Sequence, residues 1–454
     1  MTLLLLPIQL GKHFWPQWSL VLGRRVDYLS PTLYLTDLTI GLTILFWFVK
    51  EYRPKILEGI MNNVLSIKDY FFSRKKSVSN PKITIIHNTL YFLLLIIVCL
   101  NTIYSLNPYV SVYIWLKALE FGIFSLYIIK TKPNRHTSIL VLTLAVFYSS
   151  VLGIVQTYLQ RSVGGVFWIL GERQFSVSTS GIARFTLCLP RVLAAIFGAK
   201  PFCRELLRSY ATFPHPNVFG GFLAILLPTF VADLLRPQNA SGRFIRGSAL
   251  LFGLFALVLT FSRSAMLISL ILMIMVLLLQ QLEKIHKKIT MGKYLTAVIL
   301  VAVLVGVIFS CVLPLVIHAT GQESFVIRQR LAVSALSMWQ TSITSGVGLG
   351  NFLTALPHYL VQKTVYFLQP VHNVYLLILA ETGLAGIVII YIILRFIISG
   401  ALRAIPPKIS ALNLFMRFYP VVAILIFGSI DHYPITLQQG RLMTAVTVGM
   451  MFMK

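Results

Sequence analysis

An all-α bundle of about twelve membrane-spanning helices is the fold this chain predicts, at roughly 20 residues for each crossing. Three observations lead there: the composition, the lengths of the apolar runs, and the placing of positive charge. Hydrophobic residues make up 57% of the 454 positions and charged residues only 11%, with a mean hydropathy of +0.83. A water-soluble core has no use for that much apolar surface, so the chain reads as a polytopic membrane protein without a separate soluble domain. Net charge is +26, from 39 Lys+Arg against 13 Asp+Glu. The cations are scattered between apolar runs instead of forming a stripe. That pattern argues against nucleic acid and for the orientation rule of membrane helices and for anionic partners.

Taken in order, the apolar runs lie at roughly 2–11, 31–49, 84–101, 110–130, 138–158, 215–235, 247–261, 264–282, 294–317, 372–394, 414–430 and 435–453. The first is short, and the seventh and eighth are nearly continuous. MTLLLLPIQL at the start lacks a basic leader and a small-residue cleavage site, so it reads as a retained segment. With the N-terminus in the cytoplasm, the inside segments are 50–82, 131–137, 236–246, 283–293, 395–413 and Lys454, and the short ones are nearly all basic. Both termini then fall on the cytoplasmic face. Residues 1–158 supply about five N-terminal helices, counted at one per membrane-length run, and 159–454 form the core.

Two connections, 159–214 and 318–371, are long and lie outside; connections of that length are usually functional. Short helices along the membrane surface are expected in both, and the first carries two apolar patches that suit them, VFWIL at 166–170 and LAAIF at 193–197. SGVGLGNF at 345–352 has the glycines of tight turns. It has no strand–loop–helix setting, so a nucleotide phosphate loop is not expected. The four cysteines show no metal-ligand spacing, and Cys188 with Cys203 leaves a disulfide open.

The candidate chemistry gathers on the outer face. In VHNVYLLILAETGLAG (371–386) His372 stands at the outer end of a membrane-length helix, and Gly383 and Gly386 lie within it as close-packing positions, where small residues let helices approach. A lone histidine in such a place is more often an anchor than a catalyst. A helix N-terminus and nearby arginines, however, lower an imidazole pKa and leave it able to act as a general base. The same helix end attracts an anion. Arg263 sits between two apolar runs in LTFSRSAML, Arg208 in the first long connection, and Arg328 and Arg330 in the second. Guanidinium forks suit paired phosphate oxygens. FPHPN places His215 and Asn217 where Pro216 starts a helix, which is equally a plain helix entry. Asp431 lies in the turn between the last two spans and is a candidate to orient an arginine or histidine. Lys117 and Glu120 read as an i,i+3 ion pair, and Arg441 as paired with a carboxylate or carbonyl in the bundle. Outer carboxylates are few and none forms an Asp-x-Asp pair, so no metal and no other cofactor is expected. Hydrolase and redox signatures are absent from the sequence.

The spacing His-Asn, nine residues, Gly-x-x-Gly at 372–386 resembles the signature of the bacterial O-antigen ligase and O-antigen polymerase superfamily. FPHPNVFGGFL, TFSRSAML, GVGLGNF and DHYPITLQQG are similar, in this order, to that superfamily's recurring segments over roughly 170–445. The resemblance implies a multi-pass glycosyltransferase of the bacterial inner membrane, active on the extracytoplasmic face. Its donor would be a glycan on a polyprenyl diphosphate such as undecaprenyl diphosphate, and its acceptor a hydroxyl on a glycan, lipid or protein, as in lipopolysaccharide synthesis. It also implies that His372 is the base and that Arg263 with Arg328 or Arg330 clamps the diphosphate, with Arg208 a further donor contact; His215, Asn217, Asn373 and Asp431 are the candidate substrate contacts that the outer-face segments add. Transfer would invert the sugar without a metal. A polymerase extending the lipid-linked glycan is the alternative within the class, and a solute transporter the alternative outside it. A transporter would favour broken helices with charges near the midplane.

Overall fold

The computed structural model describes residues 1–65, 81–189, 202–236, 239–285, 322–360 and 368–453. Helices α1 (Leu35–Leu65), α2 (Pro81–Ile103), α3 (Pro108–Thr131) and α4 (Arg135–Leu159) come first. Then follow α5 (Pro216–Leu234), α6 (Ala240–Leu259), α7 (Arg263–Ile285), α8 (Gln322–Thr341) and α9 (Phe352–Tyr359). The chain closes with α10 (Val374–Arg403), α11 (Ala411–Ile430), α12 (Tyr433–Thr436) and α13 (Gln438–Met450). Seven of the described helices (α3 to α7, α10 and α11) are long and apolar enough to cross a membrane. The protein is therefore mostly helical and polytopic, while twelve crossings are not reached among the described residues; the expected span 294–317 lies outside them.

α5 is the centre of the main core, with Phe219, Leu223, Leu226, Leu227 and Phe230 essentially inaccessible. It carries no charge until Asp233 and packs against α4, α6, α7 and α11. A second core joins Val21, Val26 and Leu29 of the N-terminal segment to α8, α9 and α10. The charges that α3 carries into the bundle are paired, as a low-dielectric interior demands. Lys117 reaches Glu120 at 3.0 Å, the expected pair, and also Asp37 of α1, to which Gln438 of α13 donates. Arg441 takes the carbonyl alternative, donating from Nε to Ile435 O at 2.7 Å.

Four expectations need correction. Residues 2–7 form turns instead of a span, and the segment reaches the level of Tyr148, whose Oη donates to Leu4 O (3.0 Å) midway along α4. Ten residues are too few to cross about 30 Å of hydrocarbon as a helix. The segment then continues into short hairpins, β1 (Gly11–His13) with β4 (Thr32–Tyr34) and β2 (Leu20–Val21) with β3 (Arg24–Arg25). An even number of crossings no longer follows, so placing both termini on one face loses its basis.

The first long connection is not purely helical. VFWIL gives a 3₁₀ turn, Gly165–Trp168, and the arginine-rich remainder pairs as an antiparallel hairpin, β5 (Arg184–Leu189) with β6 (Phe202–Leu207). LAAIF lies outside the described residues. Cys188 and Cys203 are direct partners in the hairpin register. The second connection holds a long helix, α8, where short ones were expected. The last expected span is divided, with α13 only 13 residues long.

The fourth correction concerns α10, which is broken. Gly383 has φ 60° and ψ −159°, outside helical space. The loop 343–348 fills the break with backbone. Val347 and Gly348 donate to Ala380 O and Glu381 O, and Leu384 and Ala385 donate to Ile343 O and Thr344 O, all within 2.9–3.2 Å. Asn101 of α2 pins the junction, donating to Glu381 O (3.0 Å) and Ser345 O (2.8 Å). Gly383 is thus a backbone requirement and not the close-packing residue that the sequence suggested.

Candidate functional site

His372 precedes α10 because Asn373 caps that helix. The Asn373 side-chain oxygen accepts from Leu376 N–H (2.9 Å), satisfying one of the orphan donors of the first turn, and its Nδ2 donates to Ser429 O (3.0 Å) at the end of α11. The His-Asn dipeptide is thereby explained locally: asparagine fixes the helix start and histidine is presented beyond it. Asn373 spends its amide inside the protein, which leaves it little capacity for a substrate contact.

α11 ends at Asp431 and α12 begins two residues later, so Asp431 and His432 arrive beside His372 by the shortest available route. The rings of His372 and His432 meet edge-to-face, centroids 5.3 Å apart. His432 is buried and His372 half-buried, and the His372 Nδ1 atom is inaccessible with no hydrogen-bond partner. Thr436 Oγ1 donates to His432 O (3.0 Å) and so must accept from His432 Nδ1–H (2.7 Å). Nε2 of His432 therefore carries a lone pair, 3.9 Å from Asp431 Oδ1.

Electrostatics unite the group. Burial pushes the His372 imidazole down to about 4, and the charges of Arg328 and His432 act in the same direction while Asp431 opposes them. His215 is pushed to about 3 by burial and then by Arg208, with His372 and Arg173 adding and Asp431 opposing. Burial raises the Asp431 carboxyl, but His432, His372, Arg328 and His215 outweigh it and hold the carboxyl below its usual range. At neutral pH the site therefore holds neutral imidazoles, one carboxylate and flanking guanidinium groups.

A second knot of polar groups adjoins it. His215 caps α5, its Nδ1 accepting from Asn217 N–H (3.1 Å), so its proton is on Nε2. Arg208 donates to Asn217 Oδ1 (2.8 Å) and from Nε to Thr260 O (2.6 Å), bridging the start of α5 to the end of α6. Arg263 opens α7 and is exposed, and its charge presses on Arg208. Two mutually repelling cations at a helix N-terminus make a place for an anion. His215 lies between the knots, since Arg208 on one side and His372 and Asp431 on the other all act on it.

The structure thus brings together His372, Asp431, Arg328, His215, Asn217, Arg208 and Arg263. It separates the two arginines that the sequence could not rank. Arg328 is half-buried and its charge acts on His372, Asp431 and His432, whereas Arg330 is exposed. Residues two apart on a helix face different ways, so α8 offers the site one of them.

Three contributors were missed. His432 was legible in DHYPIT but read only as part of a turn. Tyr28 sets its ring edge-to-face on His432 at 5.5 Å. Arg173 donates to Pro214 O (2.6 Å) and lies over the Tyr210 ring, and its charge acts on His215 and Tyr28. Nothing in sequence spacing points to Tyr28, because its segment was read as a span and a connection.

Residues 248–391 match the family model described as O-Antigen ligase, a stretch running from α6 to the second half of α10. It contains Arg263, Arg328, Arg330 and His372 and stops short of Asp431 and His432. No curated protein and no solved structure matches the chain.

Proposed function

We propose that this protein transfers a glycan from a polyprenyl diphosphate to an acceptor hydroxyl, because residues 248–391 match the O-Antigen ligase family model and that family's members are glycosyltransferase-like ligases and polymerases. The observation that carries the reading is His372 itself: it meets His432 ring to ring at 5.3 Å, burial lowers its pKa, Asp431 and Arg328 act on it, and His215 links it to Arg208 and through that to Arg263. His372 takes the proton as the acceptor oxygen bonds to the anomeric carbon. The bond from that carbon to the diphosphate oxygen breaks, and the carrier diphosphate leaves with its electron pair and inverts the sugar. Arg208, Arg263 and Arg328 hold the diphosphate, whose charge grows as the bond breaks. Asp431 stabilises the imidazolium that forms, and the reaction faces the extracytoplasmic side of a bacterial inner membrane.

The test is reconstitution of purified protein with a lipid-diphosphate glycan and candidate acceptors. Transfer of a single block to a foreign acceptor identifies a ligase, and a ladder of repeats a polymerase. No transfer from any lipid-diphosphate glycan sinks the proposal. Among the described residues, the bundle charges Lys117, Glu120 and Arg441 would suit a transporter, as would the broken α10, with buried Glu381 beside the break. Its freed backbone groups are already used by 343–348, and the Glu381 carboxylate accepts Phe352 N–H (3.2 Å), so the break holds protein and not solute.

Two predictions arise here. Arg328→Ala should lower kcat/KM by about 10²-fold, the usual loss for one preorganised charge-stabilising donor. Arg330→Ala should stay within about threefold of wild type, as an exposed position does. Equal losses would remove Arg328 from its assigned place. The second concerns pH. Activity requires neutral His372 and is lost as pH falls through its pKa, so the acid limb of kcat/KM should lie near pH 4 instead of near 6.5. Unfolded chains bind that proton first, so His372 also makes stability fall as pH drops from 6.5 towards 4. An acid limb at 6.5 would mean that another group is titrating.

A further inference from the structure

We propose that His372, Asp431 and His432 form a transition-metal site, and that Zn²⁺ bound there shuts off the reaction by occupying the electron pair of the base. The inhibitory half rests on the function proposed above; the binding half does not. One ligand atom from each residue lies within 4.8 Å of the other two. Two imidazoles and a carboxylate suit Zn²⁺ and Co²⁺ better than Mg²⁺ or Ca²⁺, which prefer oxygen alone. Tetrahedral Zn²⁺ sets its ligands about 3.4 Å apart and keeps a fourth position for water. The three atoms must therefore close by about an ångström. His372 Nδ1, buried and without a hydrogen-bond partner, gives up nothing by moving.

The protonation pattern points the same way. His432 donates Nδ1–H to Thr436 and turns its Nε2 lone pair towards the Asp431 oxygen. A lone pair facing a carboxylate is repulsive until a proton or a cation lies between them. A metal-bound imidazole normally donates its other ring N–H to an oxygen, as His432 does. His215 is excluded as a ligand, because its Nδ1 accepts from Asn217 N–H and its Nε2 carries the hydrogen. Arg328 opposes a cation from outside the group, so the site should bind metal at micromolar concentration and surrender it to a chelator.

The experiment uses the full chain in detergent without a polyhistidine tag, titrated with Co²⁺ and read by visible d–d absorption. One Co²⁺ per chain should bind below about 100 μM and be displaced by Zn²⁺. Thr436→Val removes no ligand and should weaken binding at least tenfold, while His432→Gln and Asp431→Asn should abolish it. X-ray absorption of the Zn²⁺-loaded wild type, which depends on no variant, should count two imidazoles. Absence of the absorption band, fewer than two imidazoles, or binding unchanged in the folded variants overturns the site. Zn²⁺ should abolish glycan transfer and a chelator should restore it in full. Binding with undiminished transfer overturns the inhibitory half and the assignment of His372 as base, while the metal site itself stands.

Discussion

His372→Ala should abolish glycan transfer in the reconstituted assay, with kcat lowered by about 10²–10⁴-fold, the range that a positioned general base contributes. Donor binding should survive, because the residues assigned to the diphosphate, Arg208, Arg263 and Arg328, are untouched. Folding should survive too. The imidazole is half-buried, its Nδ1 makes no hydrogen bond, and α10 is capped by Asn373 and not by His372. The expected result is therefore a folded protein of unchanged melting temperature that binds lipid-diphosphate glycan and does not release it. His372→Gln should behave likewise, since an amide accepts a hydrogen bond but not a proton at neutral pH. Asp431→Asn should fall between this and wild type. It removes the charge that stabilises the imidazolium but leaves the base, so the loss should appear in kcat more than in KM. Near-normal transfer by His372→Ala would falsify the catalytic assignment.

Much of the site could be read from the sequence because it is built from short motifs at helix ends. His-Asn is a helix start, FPHPN another, and TFSRS a helix-to-helix turn, and each fixes its side chain within a few residues. What escaped was whatever depends on contact between distant segments. Tyr28 reaches His432 across about 400 positions through a hairpin of two- and three-residue strands, too short to show a period-two pattern. The N-terminal turns are apolar for the same reason that spans are, to lie among helices, so composition could not tell them apart. Gly-x-x-Gly in α10 looked like helix packing because a positive φ leaves the same mark in a sequence as a close approach does: a glycine. The difference lies in GVGLGNF, whose backbone fills the gap, and no spacing rule links the two motifs.

That junction gives the largest expected effect on folding. Gly383→Ala and Gly346→Ala should each destabilise the protein by about 3 kcal/mol or more, adding a left-handed backbone penalty to a collision with main chain. An added Cβ at Gly383, where φ is +60°, would lie 2.4 Å from Thr344 C; at Gly346, where φ is +65°, it would lie 2.4 Å from Glu381 C. Backbone on both sides of the junction is already committed to each other's hydrogen bonds, and in hydrocarbon each one lost costs several kcal/mol. Neither side can retreat. Gly400→Ala is the contrast: its Cβ would meet only the Phe452 ring at 3.6 Å, an ordinary contact, and it lies in the helical part of α10. Thermal unfolding in detergent should therefore rank Gly346→Ala and Gly383→Ala far below Gly400→Ala, with Asn101→Ala between them, having lost four hydrogen bonds but added no collision. If Gly383→Ala melts with Gly400→Ala, α10 is not broken in the folded protein. His372 would then be carried on a straight helix, and its approach to Asp431 would need another explanation.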